Sequence, residues 1–155
     1  MKLPPQYFRA GVGAVIFNND GRVLVFERSD IPGAWQLPQG GLKEDEEPST
    51  AVFREIEEET GISQDDLRFV DQYPEPLAYE LPPAARRKKT GRGQAQYWFL
   101  FEFTGNDNKI DISRNDEFQT WNWRTIKELL SETVDFRIQI YRHLSKRFSQ
   151  FLLQE

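Results

Sequence analysis

Residues 40–62 read GGLKEDEEPSTAVFREIEEETGI, and this segment determines how the rest of the chain is interpreted. It begins with two glycines, continues through an acidic loop, and ends in an Arg-Glu-Ile-Glu-Glu-Glu run closed by Thr-Gly-Ile. Ten of the chain's 25 acidic residues lie between Glu44 and Asp66. Because like charges at this density repel one another, we expect the segment to use them for a function.

Within this segment, residues 47–60 are predicted to form a helix. Either Ser49 or Glu47 is suited to cap its start. Gly61 is suited to its end, because glycine readily adopts the left-handed conformation that closes many helices. The residues expected to supply its apolar side are Ala51, Val52, Phe53 and Ile56.

Three glutamates of this helix, Glu55, Glu58 and Glu59, are spaced at i, i+3 and i+4. Three carboxylates within about 6 Å of one another repel unless cations lie between them. Oxygen ligands without histidine or cysteine favour Mg²⁺ or Mn²⁺, and magnesium favours a substrate that carries phosphates. A solvated acidic face is the alternative explanation. Arg54 and Glu46 favour a site, because Arg54 can orient a carboxylate and Glu46, in the preceding loop, can reach Arg54.

The spacing of the segment resembles the Nudix box at every defined position of that motif. The resemblance implies the Nudix fold, an α/β arrangement in which a mixed β-sheet is sandwiched between α-helices. It also implies one hydrolase domain over residues 1–155, which cleaves a nucleoside diphosphate linked to another moiety. The matching positions are Gly40, Glu46, Arg54, Glu55, Ile56, Glu58, Glu59, Gly61 and Ile62.

Three segments outside the box resemble the bacterial branch of RNA pyrophosphohydrolases and dinucleoside polyphosphate hydrolases. They are WQLPQGG at residues 35–41, GQAQYWFL at 93–100 and EFQTWNW at 117–123. Tyr79, 18 residues after Gly61, also matches that branch. The resemblance extends from Phe8 to about Phe148.

This resemblance implies roles for individual residues. Arg54 and Glu46 are expected to support the catalytic carboxylates, which are Glu55, Glu58, Glu59 and Glu117. The same four glutamates, with the backbone carbonyl of Gly40, are expected to bind Mg²⁺, for which Mn²⁺ can substitute. Either Glu55 or Glu117 is expected to act as general base.

Substrate binding is expected to involve basic and aromatic residues outside the box. Phe136 and Arg137 resemble a Phe-Lys pair on the substrate rim, whose ring can stack on a base. Core packing is the alternative for Phe136 and for Tyr79, and it is the preferred interpretation of Trp98 and Trp123. The basic cluster at residues 86–89 is a weaker candidate for phosphate contacts. The expected substrate-binding residues are Arg9, Arg28, Gly40, Tyr79, Gln94, Phe136 and Arg137.

The expected reaction is the attack of water on a polyphosphate phosphorus, assisted by metal ions that neutralise charge and activate the water. The substrate expected first is a 5′-triphosphate or 5′-diphosphate RNA end, which would become a 5′-monophosphate and enter 5′-end-dependent mRNA decay. The alternatives are a dinucleoside polyphosphate, a (d)NTP, or a ligand sensor without activity. Three repelling carboxylates argue against the sensor, which does not need them.

The remaining elements are predicted from hydrophobic periodicity and turn residues. A turn at residues 18–21 is expected to join strands 8–17 and 22–28. Strand 95–103 is aromatic on both faces and is expected to be central. Further strands are predicted at 67–73, 76–81 and 118–123, an extended piece at 35–37, a tight turn at 38–41 and helices at 124–130 and 135–152. Residues 82–93 are expected to form a basic loop, whose Gly91-Arg92-Gly93 lacks the context of a phosphate loop.

Composition restricts the remaining possibilities. The chain has 155 residues, about one domain, and no cysteine, which excludes disulfides and thiolate metal sites. A single histidine, His143, excludes a multi-histidine site. The net charge of −5 argues against general nucleic-acid affinity, although the basic residues are clustered. Since no long apolar stretch occurs, we expect a cytoplasmic protein without membrane contact or an obligate protein partner.

Overall fold

The computed structural model describes residues 5–155, so the first four residues of the expected domain lie outside the described part. Within it, eight β-strands and three α-helices form. Their bounds are β1 Phe8–Phe17, β2 Val23–Arg28, β3 Trp35–Gln36, β4 Gln39–Gly41, α1 Pro48–Thr60, β5 Leu67–Gln72, β6 Leu77–Glu80, β7 Gly93–Phe103, β8 Phe118–Arg124, α2 Ile126–Glu132 and α3 Asp135–Arg147.

The eight strands form one mixed sheet around a parallel pair of long strands. Strand β1 runs parallel to β7 over its whole length, from Phe8 opposite Gly93 to Phe17 opposite Glu102. The main strand order is β3-β2-β1-β7-β5, and β4, β6 and β8 pair antiparallel with β1, β7 and β2 respectively. The prediction that β7 is central is therefore confirmed.

Alternating side chains of the central strands divide the core into two layers, because successive residues of a strand point to opposite faces. Val15 on β1 packs in the cluster that contains residues of α2 and α3. Ala14 and Ile16 pack instead with apolar residues of α1. The sheet is thus sandwiched between helices, as the resemblance implied.

Trp98 occupies the centre of the sheet because its neighbour on β1 has no side chain. A Cβ atom on Gly13 would lie 2.4 Å from the Trp98 ring, which is fully buried. Core packing of Trp98 is confirmed. Trp123 is half-buried against the other cluster, and its indole N–H donates to the carboxylate of Asp107 at 3.2 Å.

The structure corrects the predicted start of the first helix and the predicted turn before it. Ser49 is not a cap but lies inside α1, and Glu47 occupies the capping position without a side-chain hydrogen bond. Gly61 ends the helix with φ 76°, as predicted. Residues 39–41 form β4 rather than a tight turn. Glycines allow this pairing, because a Cβ atom on Gly11 of β1 would lie 2.7 Å from the Gly40 carbonyl oxygen.

Both C-terminal helices also have bounds that differ from those predicted. Helix α2 begins two residues later than expected, because Thr125 and Glu128 form a capping box at its start. Helix α3 ends at Arg147 rather than at residue 152. The chain then turns so that the Leu153 amide can donate to the carbonyl of Gly21 in the β1–β2 hairpin. Across residues 5–155, the helices are all too short or too polar to traverse a lipid bilayer.

Candidate active site

A cavity of about 370 Å³ opens where β1, β4, α1 and β7 meet. Its lining contains eight of the residues that the sequence predicts for the site, namely Arg9, Arg28, Gly40, Glu55, Glu59, Gln94, Glu117 and Arg137. Residues from seven separate parts of the chain are therefore brought to one place. Sequence reasoning missed three other lining residues, Gln39, Gly41 and Thr90.

Strand β4 brings the backbone against the acidic helix. A Cβ atom on Gly40 would lie 1.9 Å from the carboxyl carbon of Glu55. The neighbouring glycine is equally restricted, since a Cβ atom on Gly41 would lie 2.0 Å from an Nη atom of Arg9. The two glycines are thus required so that Glu55 and Arg9 can lie directly on the backbone of β4.

Arg54 connects the loop, the backbone of β4 and the helix. Its guanidinium donates from Nε and Nη2 to the two carboxylate oxygens of Glu46, both at 2.8 Å. It also donates to the Gly41 carbonyl at 3.0 Å and to Glu55 Oε1 at 2.8 Å. The reach of Glu46 to Arg54 is confirmed. A weaker contact of 3.3 Å joins Arg54 to Glu58, whose side chain is 56% exposed and does not line the cavity.

The pKa values of the carboxylates in the site are shifted in opposite directions. Hydrogen bonds from Arg54 hold the pKa of Glu46 at about 2. Burial raises the pKa of Glu55, and that of Glu59 lies well above its ordinary value because it is buried and near Glu117 and Glu55. Burial also raises the pKa of Glu117, against the opposing charges of Arg28 and Arg137. The three cavity glutamates therefore resist ionisation together.

This donor set fits a divalent metal ion, because a cation would relieve the mutual repulsion of Glu55, Glu59 and Glu117. Among residues 5–155, no three acidic or histidine side chains are already clustered tightly enough to hold one ion. The guanidinium of Arg54 bonds to Glu55 and Glu58, which holds these two carboxylates away from a shared ion position. Adjustment of these side chains is thus expected when a metal binds.

Two arginines of the cavity share one buried acceptor. Gln36 Oε1 accepts hydrogen bonds from Arg28 at 2.9 Å and from Arg137 at 2.8 Å. Arg28 also binds Asp30 at 2.7 Å and lies 3.5 Å from Glu117. Sequence reasoning did not assign Gln36 a role. Its signal was a polar residue inside an otherwise buried strand, where only a specific partner explains an amide.

The two predicted aromatic residues lie outside the lining of the cavity. Tyr79 is buried in the core, and Phe136 is half-buried and stacks on it with ring centroids 5.5 Å apart. Core packing, the alternative left open for both, therefore occurs. Arg137 connects this pair to the cavity, because its guanidinium carbon lies 5.1 Å from the centre of the Phe136 ring.

Comparisons with known proteins bear on the family and the fold. The family model described as "NUDIX domain" matches residues 7–144. The RNA pyrophosphohydrolase of Gluconacetobacter diazotrophicus is 40% identical over 157 residues, covering 93% of each chain. Nudix hydrolase 25 of Arabidopsis thaliana is 36% identical over 161 residues, which cover 97% of this chain and 90% of the plant protein.

Solved structures share the same fold. The E. coli dihydroneopterin triphosphate pyrophosphohydrolase superposes with a TM-score of 0.72 and 21% identity, covering 92% of this chain and 99% of that one. A C. elegans Ap4A hydrolase in a binary complex has a TM-score of 0.70, also at 21% identity, with 92% and 98% covered. The chain belongs to the Nudix family of hydrolases, enzymes that cleave pyrophosphate bonds and generally use divalent metal ions.

Proposed function

We propose that this protein is an RNA pyrophosphohydrolase, which converts 5′-triphosphate or 5′-diphosphate RNA ends to 5′-monophosphate ends. The observation that carries the proposal is one cavity that combines three glutamates with three arginines, Arg9, Arg28 and Arg137. Carboxylates suit metal-assisted hydrolysis, and guanidinium groups suit phosphate oxygens. Near full-length relatives named RNA pyrophosphohydrolase, 37–40% identical, support the choice of substrate.

The arginines would hold the polyphosphate. Arg9 forms no ion pair within residues 5–155, so its guanidinium is available to phosphate oxygens. Arg28 and Arg137 are fixed in place by Gln36, which reduces the entropy lost when a substrate binds. These three side chains would neutralise charge on the phosphates and leave the carboxylates free to act on metal and water.

The metal would be Mg²⁺, with Mn²⁺ as a substitute, held by Glu55, Glu58, Glu59 and Glu117 with the carbonyl of Gly40. When bound, the metal supplies charge neutralisation and lowers the pKa of a water molecule. Arg54 and Glu46 would support Glu55 by fixing its carboxylate.

The proton of the attacking water would pass to one of two glutamates. Glu55 or Glu117 is suited to accept it, because burial raises the pKa of each toward the working pH. The water oxygen then forms a bond to phosphorus, the anhydride P–O bond breaks, and pyrophosphate leaves a triphosphate end. A diphosphate end releases phosphate instead. The 5′-monophosphate product would enter 5′-end-dependent mRNA decay, and we place this activity in the cytoplasm.

Hydrolysis of a dinucleoside polyphosphate is the second candidate. The lining of the cavity contains no aromatic ring among the described residues, so it selects phosphates rather than a particular base. A diadenosine tetraphosphate presents the same chain of phosphates. Hydrolysis of (d)NTPs is a third candidate, because a (d)NTP also presents a chain of phosphates, and it is the least favoured of the three.

Parallel kinetics test the proposal. The protein with Mg²⁺ is incubated with 5′-triphosphate RNA, diadenosine tetraphosphate and dNTPs, and kcat/KM is compared. We expect the highest value for RNA, and a higher value for dNTPs would contradict the proposal. Glu58→Gln should lose turnover, whereas Glu57→Gln, an exposed residue of the same helix outside the motif, should not.

A further inference from the structure

The basic loop at residues 82–93 carries charge that the proposed chemistry does not use. Arg86 donates to the backbone carbonyl of Leu81, just before the loop, at 2.9 Å, and Arg87 donates to that of Ala84 within it at 2.8 Å. Lys88 and Lys89 are exposed. Within residues 5–155, none of these four cations forms an ion pair with a carboxylate. The two arginines thus shape the loop, and the two lysines present unneutralised charge to solvent.

Two exposed aromatic rings lie beside this loop. Tyr7 is 48% exposed and Phe8 is 41% exposed, although large apolar rings are usually covered. Both rings lie close to glycines, Gly91 in the loop and Gly93 at the start of β7. A Cβ atom on Gly91 would lie 2.8 Å from the Tyr7 ring, and one on Gly93 would lie 2.8 Å from the Phe8 ring.

The backbone fixes this arrangement further. The amide of Arg92 donates to the Tyr7 carbonyl at 2.9 Å, and the Arg92 side chain is neutralised by Glu80 at 2.6 Å. Gly91 has φ 72°, a conformation that a side chain would strain. The Gly-Arg-Gly sequence therefore packs against both rings, and its backbone fixes the position of Tyr7.

This surface borders the cavity through residues that are neighbours in the chain. Arg9, which lines the cavity, directly follows Phe8 on β1. Thr90 lines the cavity and directly follows Lys89, and Gln94 lines it one residue after Gly93. Both chain segments that carry the rings and the lysines thus lead into the phosphate-binding residues.

We propose that Tyr7, Phe8, Lys88 and Lys89 bind the nucleotides of an RNA chain that follow its 5′ end. The inference rests on the proposed function, because the 5′ phosphates must occupy the cavity. Aromatic faces stack on the bases of single-stranded nucleic acid, and lysines contact the phosphates between them. The chain as a whole is acidic, with a net charge of −5, so a local basic surface is needed to hold a polyanion.

RNA is favoured over an acidic protein segment because rings and cations occur together. An acidic peptide would use the lysines but has no need of two exposed rings supported by glycines. A mononucleotide or dinucleoside polyphosphate whose phosphates occupy the cavity has no further phosphates for the two lysines to contact. The surface therefore adds affinity that depends on the length of the RNA.

The test compares two substrates, a 5′-triphosphate dinucleotide and an unstructured 5′-triphosphate RNA of about 20 nucleotides. In Lys88→Ala/Lys89→Ala and in Tyr7→Ala, we expect kcat/KM for the long RNA to fall about tenfold, and that for the dinucleotide to change less than about twofold. The lysine variant should also show a weaker salt dependence with the long RNA. A matched control, Lys109→Ala/Lys127→Ala, removes two exposed lysines elsewhere and should leave both values unchanged.

The outcomes separate this inference from the function on which it rests. Suppose that the wild-type protein hydrolyses both RNAs but the variants lower kcat/KM equally for both RNAs, or for neither. The extended surface is then refuted, and the proposed function stands. The same holds if the lysine control behaves like the lysine variant. If the wild-type protein hydrolyses neither RNA, the proposed function fails and this inference fails with it.

Discussion

The backbone of Gly40 lies against the carboxylate of Glu55 so closely that a Cβ atom on the glycine would be 1.9 Å from the carboxyl carbon. Strand pairing enforces this approach, because Gly40 is opposite Val12 in the β1–β4 register. Arg54 fixes the same carboxylate from another side. Its guanidinium donates hydrogen bonds to Glu55 at 2.8 Å and to the Gly41 carbonyl at 3.0 Å. The position of Glu55 is thus defined by backbone and guanidinium together.

Gly40→Ala should therefore displace Glu55 and reduce activity more than stability. We expect kcat/KM to fall at least about 100-fold, because a displacement of about 1 Å in a catalytic group has that effect. The comparison is Gly13→Ala, whose new methyl group would press on the buried Trp98 ring and should mainly lower Tm. Undiminished kcat/KM in Gly40→Ala would show that Glu55 does not need its present position.

Glu59→Gln tests the electrostatic cost of the cavity. The pKa of Glu59 is raised, so the folded protein binds this proton more tightly than the unfolded chain does. Without divalent ions, stability is then fully retained at low pH and falls as the pH rises from about 4.5 toward the raised pKa. Each pKa unit corresponds to about 1.4 kcal/mol. The glutamine variant removes this cost and should be more stable than wild type at pH 8, with the difference vanishing toward pH 4.

Thermal unfolding with and without MgCl₂ measures the electrostatic cost of ionised Glu59 and its relief by a metal ion. At pH 8, Mg²⁺ should raise the Tm of wild type, because the ion stabilises ionised carboxylates, and it should do so less at pH 5. It should raise the Tm of Glu59→Gln much less. Glu57→Gln, exposed on the same helix, should behave as wild type. A metal-free Glu59→Gln protein that is less stable than wild type at pH 8 would contradict the assignment.

Gln36→Leu tests whether the shared acceptor positions the two arginines that we propose bind phosphate. The variant removes the oxygen that accepts from Arg28 and Arg137, so both guanidiniums gain freedom. Because they would bind substrate and transition state alike, we expect KM to rise about tenfold and kcat to change little. Steady-state kinetics of Gln72→Leu, an exposed glutamine on β5, provide the comparison. A lower kcat at unchanged KM would instead place Gln36 in the chemical step.

The acidic helix and its supporting pair could be predicted because their spacing is local. Arg54 and Glu46 are eight residues apart, and a helix preceded by a short loop is enough to bring them together. Gln36 and Arg137 are 101 residues apart, and their contact exists only because α3 packs beside β3. No local periodicity contains that information. The conversion of the expected turn at residues 38–41 into a strand has the same origin, since β1 supplies its partner.

The stacking of Tyr79 on Phe136 also depends on two distant elements, β6 and α3. Sequence patterns left both core packing and substrate contact open, because an aromatic residue at helical spacing satisfies either. Burial decided in favour of the core for Tyr79. The extended surface around Tyr7 was not visible in the sequence, since it required knowing that Gly91 and Gly93 lie beneath two aromatic rings.

Tyr141→Phe should weaken the connection between α3 and the segment that leads into β4. The hydroxyl of Tyr141 is fully buried and accepts a hydrogen bond from the Leu37 amide at 3.0 Å. Burial raises the pKa of Tyr141 to about 12, so the hydroxyl stays protonated at working pH. Removing it leaves the Leu37 N–H buried without a partner, which costs about 1–3 kcal/mol in the free energy of unfolding.

Urea denaturation measures this loss, and hydrogen exchange locates it. We expect the Leu37 amide to exchange faster in Tyr141→Phe, while amides in the middle of β1 and β7 keep their relative protection. Tyr97→Phe is the matched control, because its hydroxyl makes no hydrogen bond within the described residues and its loss should change stability little. Equal free energies of unfolding in the two variants would mean that water replaces the lost acceptor. The segment that leads into β4 would then be held in place by strand pairing alone.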